Sequence, residues 1–411
     1  MPGSCRGCWT PAPRRRLRGT GQWVLTMPVV IVSPSNVVGF LRGGGGHFWV
    51  YLQYVLGLRS VGCDVFWLER VGPAPGTDAD AAAFLRLMER FGLAGNVILY
   101  RHERPDGATD PASPSYVNVT REAAEGAFRR ADLLLNFHHT IEPALLARFR
   151  RTALVDIDPG LLQFWISAGQ LRVARHDVYL TIGETVGTPG AHFPDCGLAW
   201  RHIRPPVYLE AWPFTHDAAC ECFTTVSNWF GHNDWVIDGR GTNYENTKRA
   251  SFLQFADLPR ATPQPMELAL FLGDTEHDAR DRAHMEERGW RIRHCREVAG
   301  TPDAYRAYVQ ASRGELSCAK PSYVKLRTGW VSDRTLCYLA SGKPAVVQDT
   351  GPSRYLPSGR GLFRVRDIAE AAEAVAAINT NYALHCREAR EIAEAHFDAA
   401  DVVRRLLEIS L

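Results

Sequence analysis

The sequence predicts an α/β protein built from two doubly wound parallel sheets, each covered by helices on both faces. Short apolar runs alternate with segments of helical periodicity along most of the chain. This alternation begins near residue 29, stops in a proline-rich passage at 187–217, and begins again near residue 223. A length of 411 residues is typical of two domains.

The first half opens with a strand, a glycine loop, a helix and a second strand, which is the usual start of a doubly wound sheet. Continuous apolar runs predict strands, and apolar residues three and four positions apart predict helices. The predicted strands are 29–33, 65–68, 96–100, 133–137, 153–156 and 178–182. The predicted helices are 47–59, 79–91, 121–130 and 142–148. We expect strand 178–182 to complete the first sheet.

The second half repeats the pattern. Its predicted strands are 223–227, 267–272, 291–294, 312–317 and 345–348. Its predicted helices are 248–255, 278–288, 302–311, 333–340, 368–379, 382–395 and 400–409. The alternation of these strands and helices predicts a second parallel sheet with its own crossover helices.

We therefore divide the chain into four parts. Residues 1–26 carry five arginines and three prolines but no apolar run of signal-peptide length, so we expect a disordered basic leader. Residues 27–215 form the predicted N-terminal domain and 216–395 the C-terminal domain. Residues 396–411 form a C-terminal helix that we expect to pack near the domain junction.

Composition narrows the possible partners and location. The formal net charge is only +2, which favours neither nucleic acid nor a membrane surface as a partner, and no segment has the length of a transmembrane span. The ten cysteines lack the paired spacing of a zinc site and suit a reducing compartment. We expect a cytoplasmic protein with no nucleic-acid partner and no integral membrane association.

The segment 314–351 carries the clearest binding signal. A polar turn with Gly329 leads into a helix that begins at Asp333, and the free N–H groups at a helix start attract anions. Ser332 adds a hydroxyl donor and Arg334 a forked cation, both suited to phosphate oxygens. The sequence therefore predicts a diphosphate site here.

A second set of polar residues flanks the neighbouring strands. Gln348, Asp349 and Thr350 end a buried strand, and ligands of open α/β sheets collect at that edge. Amide and carboxylate oxygens suit sugar hydroxyls, so we predict that these residues bind a sugar. Glu315 and Lys320 flank the preceding strand and either join this site or pair with each other.

Several sequence strings resemble the GT-B-fold glycosyltransferases, in particular a poorly characterised bacterial branch. They are GGGGHFWVYLQYVLGLRSVGCDVFWLE from Gly43, VDIDPG from Val155, TIGE from Thr181, FTTVSNW from Phe223, and the run GWVSDRTLCYLASGKPAVVQDTG. The resemblance covers 27–411. It implies two Rossmann-like domains facing a cleft, with a nucleotide-diphosphate sugar held mainly by the C-terminal domain and an acceptor by the N-terminal one.

The resemblance also bears on single residues. Lys248 lies where retaining relatives place a phosphate-contacting lysine. Those relatives carry two glutamates eight residues apart, but the matching positions here are Gly329 and Cys337. The stereochemistry of transfer therefore stays open.

Candidate catalytic residues follow strand ends of the first half. His47 stands directly behind the glycines and could accept a proton near neutral pH, or it could cap the loop. Asp156 and Asp158 follow a strand, and one of them could serve as base or acceptor anchor, although Asp158 precedes Pro159 and better suits a turn. Glu184 ends the last strand of the first half and is a further candidate. Gly44, Gly45 and Gly46 form the expected acceptor loop. We expect neither a metal ion nor a cofactor other than the nucleotide-sugar co-substrate.

Three functions remain open. The first is glycosyl transfer to an unidentified glycan, natural product or protein. The second is epimerisation or hydrolysis of a sugar nucleotide on the same fold, and the third is a non-catalytic module that binds sugar nucleotides.

Glu69 lies about twenty residues beyond the glycines, so its spacing also allows a nicotinamide dinucleotide site. The second sheet with its own phosphate site counts against that alternative.

Overall fold

A computed structural model describes residues 14–17, 23–41, 44–72, 77–102, 114–230, 235–237 and 243–411. In the segment that the sequence predicts to be disordered, strands β1 (Arg14–Leu17) and β2 (Trp23–Thr26) form an antiparallel pair. Residues 1–13 and 18–22 lie outside the described residues, so the prediction of disorder stays a prediction for them.

The first half forms an eight-stranded sheet in the order β10-β9-β8-β7-β3-β4-β5-β6. All its neighbouring strands are parallel except the pair of β5 and β6. Its strands are β3 (Val29–Ser33), β4 (Asp64–Arg70), β5 (Val97–Arg101), β6 (Ser115–Tyr116), β7 (Leu133–Asn136), β8 (Thr152–Asp156), β9 (Val178–Thr181) and β10 (Trp200–His202). Its helices are α1 (Gly45–Ser60), α2 (Thr77–Arg90), α3 (Arg121–Arg130), α4 (Pro143–Leu146) and α5 (Leu161–Ser167).

The second half forms a six-stranded parallel sheet in the order β15-β14-β11-β16-β17-β18 and a separate antiparallel pair, β12 with β13. The strands are β11 (Phe223–Asn228), β12 (Trp235–Ile237), β13 (Asn243–Glu245), β14 (Met266–Phe271), β15 (Arg291–His294), β16 (Gly314–Ser317), β17 (Ala345–Gln348) and β18 (Leu362–Val365). The helices are α6 (Lys248–Gln254), α7 (Leu258–Ala261), α8 (Glu276–Glu286), α9 (Cys295–Ala299), α10 (Pro302–Gln310), α11 (Pro321–Leu326), α12 (Asp333–Ala340), α13 (Ile368–Thr380), α14 (Tyr382–His396) and α15 (Ala399–Ser410).

The predicted α/β fold class with two doubly wound sheets is confirmed, but the first sheet does not end at β9. Strand β10 lies in the passage that the sequence marks as loop and pairs in parallel with β9. It has only three residues, of which Trp200 is buried and Arg201 and His202 are exposed. A strand this short is below the length at which alternation can be recognised.

One apolar cluster spans the two halves, and further clusters lie within each half or at its edge. Helix α1 of the first half packs against α10 and α15, and α12 packs against α14. The Trp49 indole N–H donates to the Pro302 carbonyl at 2.9 Å, and the Tyr208 N–H donates to the Gln53 side chain at 2.7 Å. The last helix contacts the first half at its start: the Val207 N–H donates to the Phe397 carbonyl, and the Ala399 N–H donates to the Val207 carbonyl. The boundaries at 215 and 395 stay predictions.

Within the described part of the chain, no helix combines the length and apolar character needed to cross a membrane.

Candidate functional site

The order of strands reverses once in each sheet, between β3 and β7 in the first and between β11 and β16 in the second. The loops that follow strands on either side of such a reversal diverge and leave a crevice at the carboxyl edge of the sheet, where ligands of open α/β sheets bind. In this protein the two crevices face each other across the groove between the halves. Two adjoining cavities occupy that groove.

The first, which we name the lysine cavity, has a volume of about 390 Å³. The second, the aromatic cavity, measures about 450 Å³. Seven residues line both, so the two form one continuous groove: Phe40, His47, Val50, Asp158, Tyr323, Trp330 and Asp333.

The lysine cavity lies at the reversal point of the second sheet, where Ser227 and Asn228 end β11. Lys248 and Lys320 add two cationic side chains to its wall. Lys248 opens helix α6 behind the cap Thr247, whose hydroxyl accepts from a backbone N–H of the first turn. Its ammonium donates to the Cys318 carbonyl at 2.6 Å.

An aromatic stack forms the floor between the two cavities. The rings of Tyr323 and Trp330 lie parallel within 15°, with centroids 4.3 Å apart. The Lys248 ammonium lies 5.3 Å from the Trp330 centroid. Burial, with the positive charge of Arg334 nearby, lowers the pKa of Lys248 to about 7. An anion placed beside this lysine would restore its charged form.

Helix α12 begins at the lysine cavity, as the sequence predicts. The Ser332 hydroxyl caps it by accepting from the Arg334 N–H at 3.3 Å. The Arg334 side chain lines the cavity but is mostly engaged inside the protein. Its Nε donates to the fully buried Glu315 at 2.6 Å and its Nη1 to the Val226 carbonyl at 3.0 Å, while Nη2 donates to Ser317. Glu315 therefore pairs with Arg334 and not with Lys320.

The residues predicted to bind the sugar have protein partners. The Gln348 side chain accepts from the Ala319 N–H at 3.1 Å, and Asp349 forms an ion pair with Arg364. The Thr350 hydroxyl donates to the Trp330 carbonyl at 2.6 Å. The Thr350 contact joins the end of β17 to the loop of Trp330, and the other two join it to the loop after β16 and to β18.

Gly329 has a positive φ of 67° and lies against both halves. A Cβ at this position would lie 2.8 Å from the Pro352 carbonyl oxygen and 3.1 Å from the Glu184 Cβ. Only glycine combines this backbone conformation with so close an approach.

His47 lines both cavities. Its Nε2 lies 2.8 Å from the Ser35 carbonyl. A carbonyl only accepts, so this nitrogen carries the proton and the lone pair of the neutral ring is on Nδ1. Burial lowers the pKa of His47. The ring is therefore neutral at pH 7, and it packs edge-to-face against Phe40 and Tyr51.

The two aspartates of VDIDPG have different environments. Asp156 is fully buried and accepts from the Asp158 N–H, from Gln163 at 2.9 Å and from Thr181 at 2.9 Å. Burial raises its pKa to about 7. Asp158 lines both cavities and accepts from the Tyr323 hydroxyl of the second half at 2.5 Å. Of this pair, the structure brings Asp158 to the groove.

Glu184 does not line either of the two groove cavities. It accepts from the Ser353 hydroxyl and from the Arg354 N–H at 2.8 Å, and so joins the end of β9 to the second half. It lines a third cavity of about 380 Å³, together with His202, Arg204 and Asp398. The structure therefore does not bring Glu184 together with His47.

Two of the three glycines of the expected acceptor loop lie in helix α1 and not in a loop. Gly45 and Gly46 belong to the first turn of α1, and only Gly44 precedes the helix. A Cβ on Gly45 would lie 2.1 Å from the Thr301 carbonyl oxygen, and one on Gly46 would lie 2.8 Å from the Tyr305 ring. Both glycines let α1 approach the second half, and Gly44 and Gly46 also line the lysine cavity. Gly43 lies outside the described residues.

Sequence reasoning missed Tyr323 and Trp330 as a pair, and it assigned Asp158 to a turn. The available signal was the aromatic residue within the GWVSDR string, beside the predicted anion site. Among the residues that the structure describes, no group of three or more His, Cys, Asp or Glu side chains could hold a metal ion.

No family model matches the chain, and no curated protein matches it. Among solved structures, an alpha-glucosyltransferase in complex with UDP and mismatched DNA is 11% identical, with a TM-score of 0.60 over 94% of this chain and 99% of that one. HepE from Anabaena, in complex with UDP and glucose, is 11% identical, with a TM-score of 0.56 over 93% and 98%. Sucrose-phosphate synthase from Thermosynechococcus elongatus is 11% identical, with a TM-score of 0.53 over 93% and 98%.

These similarities correct one expectation. A further alpha-glucosyltransferase structure, 12% identical, contains DNA with an abasic site, so proteins of this fold do bind nucleic acid. The exclusion of a nucleic-acid partner was wrong because net charge is a sum over the whole chain, whereas contact with nucleic acid depends on where the basic side chains lie.

The two parallel sheets, the groove at their facing carboxyl edges and the near-complete coverage of these structures lead to one conclusion: this chain has the GT-B glycosyltransferase fold.

Proposed function

We propose that this protein is a glycosyltransferase that moves a sugar from a nucleotide-diphosphate sugar to an acceptor hydroxyl in the groove between its halves. The observation that carries the proposal is the junction of the two cavities. A cavity with two lysines and a helix start meets a cavity without lysine or arginine in its described lining, and His47 and Asp158 line both. A transferase needs two adjoining sites of this kind, one for the donor and one for the acceptor.

The donor is assigned to the lysine cavity. Lys248 and Lys320 would offset the charge of the diphosphate, with Ser332, the backbone of Gly329 and Asp333, and the outer edge of Arg334 close by. Gln348, Asp349, Thr350 and Glu315 would act on the sugar mainly by holding the loop of Trp330 and the start of α12. The neighbours' complexes with UDP make uridine the first nucleotide to test.

The acceptor is assigned to the aromatic cavity, with His47 as the proton acceptor. Its ring is neutral near pH 7 and its Nδ1 has a free lone pair when Nε2–H is bound to Ser35. Direct displacement with inversion requires such a base. Asp158 is the alternative base, since it also lies at the junction.

We further propose that transfer requires no metal ion, because two lysines can balance the leaving diphosphate. Full activity in the presence of a strong chelator is the expected result. Loss of activity on chelation, with recovery on adding magnesium, would overturn this part of the proposal.

The main test is incubation with uridine-diphosphate sugars, with and without a mixture of candidate acceptors, followed by measurement of free uridine diphosphate. Release that depends on acceptor supports a transferase. Conversion without acceptor would instead identify an epimerase or hydrolase, and binding without conversion would identify a non-catalytic module. His47→Ala should reduce kcat at least a hundredfold with little change in donor affinity, since removing a general base typically costs about 10² to 10⁴ in rate.

A further inference from the structure

The aromatic cavity differs from the lysine cavity in its charged residues. Its walls carry seven aromatic rings: Phe40, Tyr51, Tyr54, Phe137, Trp165, Tyr323 and Trp330. Among the described residues that line it, the charged side chains are Asp158 and Asp333, and no lysine or arginine is present. A molecule that enters this space therefore meets π faces and carboxylates.

The two histidines of the lining do not balance these carboxylates. Burial lowers the pKa of both His47 and His139, so both rings are neutral near pH 7. Two cations outside this lining, Arg334 and Lys248, act electrostatically on Asp333, but both have other partners. Arg334 is paired with Glu315, and Lys248 donates to a backbone carbonyl.

Asp333 is the less engaged of the two carboxylates. It is the first residue of α12, and in the described structure its side chain forms no ion pair and no hydrogen bond with the side chain of another residue. Asp158, in contrast, already accepts from Tyr323. Burial raises the pKa of Asp333 by more than nearby Arg334 and the backbone N–H of Asp333 itself lower it. A cation bound beside Asp333 would therefore stabilise its charged form.

The cavity also holds a buried polar atom without a partner. Tyr54 is only 2% exposed, lines the cavity, and has a hydroxyl with no hydrogen-bond partner within the described residues. His139 also lines the cavity, and its Nδ1 is likewise buried without a hydrogen-bond partner within the described residues. These orphaned groups indicate that the cavity is built for a ligand with polar groups of its own.

We propose that the acceptor carries a protonated amine beside the hydroxyl that receives the sugar. An ammonium group would be attracted by the faces of Tyr323 and Trp330 and would pair with Asp333. A neutral acceptor would bring no positive charge to Asp333, and an anionic one would be repelled by both carboxylates. The inference rests on the proposed function, because it assigns the acceptor to this cavity.

The test uses two matched probe series with the protein loaded with uridine diphosphate. Tyramine, 4-ethylphenol and 4-hydroxyphenylacetate differ in charge but share a phenol, and glucosamine and glucose form a second pair. We expect the amine of each series to bind at least about tenfold more tightly than its neutral analogue, which corresponds to about 1.4 kcal/mol. The anion should bind most weakly.

Asp333→Asn should bring the ratio of amine to neutral affinity close to one. The ratio is the readout because any general loss of binding cancels in it. Asp274→Asn, at an exposed position outside the groove, is the matched control and should keep the preference.

Equal affinities, a preference for the anion, or no binding of any probe would overturn the inference. Glycosylation of duplex DNA that carries a hydroxymethylated base, without binding of the amines, would overturn it in favour of a nucleic-acid acceptor. Failure of the proposed function is recognised separately, in the assay of uridine diphosphate release: conversion without acceptor, or no conversion at all, would reject the transferase whatever the affinities of the probes.

Discussion

Lys248 shows how burial makes the charge of a lysine sensitive to its surroundings. With a pKa of about 7, nearly all of the free protein carries a neutral Lys248 at pH 8.5. A bound diphosphate favours the charged form and raises this pKa, so binding above pH 7 must take up a proton. Titration calorimetry with uridine diphosphate at pH 8.5, in buffers of different ionisation enthalpy, should reveal close to one proton taken up.

In Lys248→Met this proton uptake should vanish, and the affinity for uridine diphosphate should fall at least about tenfold, since a charge-assisted hydrogen bond is worth about 1.5–3 kcal/mol. Lys325→Met is the control, because Lys325 lies exposed on the nearby helix α11. Unchanged proton uptake in Lys248→Met would remove Lys248 from the diphosphate site.

Arg334 has a structural role that its position in the sequence does not reveal. Replacing it with alanine leaves Glu315, which is fully buried, without its charged partner. We expect Arg334→Ala to lower the free energy of unfolding by about 3–5 kcal/mol, the usual cost of breaking a buried ion pair. Urea unfolding measures this change.

The double variant Glu315→Gln with Arg334→Met supplies the control for this prediction. Removing both charges leaves no isolated buried ion, so the double variant should be more stable than Arg334→Ala. If it were less stable than Arg334→Ala, the ion pair would not explain the loss. The sequence predicted that Arg334 binds phosphate, but it did not reveal the ion pair, because Glu315 lies nineteen positions earlier in the chain.

At the scale of elements, helix α1 is positioned by a glycine that sequence reasoning assigned to a loop. Gly45→Ala should destabilise the protein by about 1–3 kcal/mol, because its Cβ would overlap the backbone at Thr301 and overpacking carries a cost of this size. Thermal unfolding measures the effect.

Gly126 in helix α3 is a matched control, since a Cβ there would have 3.6 Å to its nearest neighbour. Gly126→Ala should stabilise the protein by up to about 1 kcal/mol through helix propensity. A Gly45→Ala variant as stable as Gly126→Ala would show that α1 does not need this close approach.

The long, strongly patterned elements could be predicted from the sequence, but the short β10 could not. Helix α12 was predicted with its observed bounds, because Ser332 is a typical cap and Gly342 a typical stop. Strand β10 has three residues and only one buried side chain, so hydrogen bonds to β9 define it more than its own pattern does.

For the molecule as a whole, one large apolar cluster joins the two sheets, while β14 packs in a second cluster of the C-terminal half. Buried residues of α1, α10, α12, α14 and α15 belong to a single apolar cluster that includes strands of both halves. We therefore expect one cooperative unfolding transition. Amide hydrogen exchange in β4 and β14, which lie in different sheets, should become unprotected at the same urea concentration.

Loss of protection in β14 well before β4 would mean that the halves unfold independently, as domains with small polar interfaces do. The complex with uridine diphosphate offers a second way to measure whether the two halves unfold together. Because the ligand binds the native state, it should raise the unfolding midpoint of both strands together.

The sequence by itself determined the fold class, the order of most strands and helices, and the residue at which α12 begins, because these depend on local periodicity and capping. Only the tertiary structure decided which polar residues meet. It paired Arg334 with Glu315, buried Asp156, moved Glu184 to another cavity, and brought Asp158 and Tyr323 together across the groove. Such contacts join residues far apart in the chain, and no local pattern specifies them.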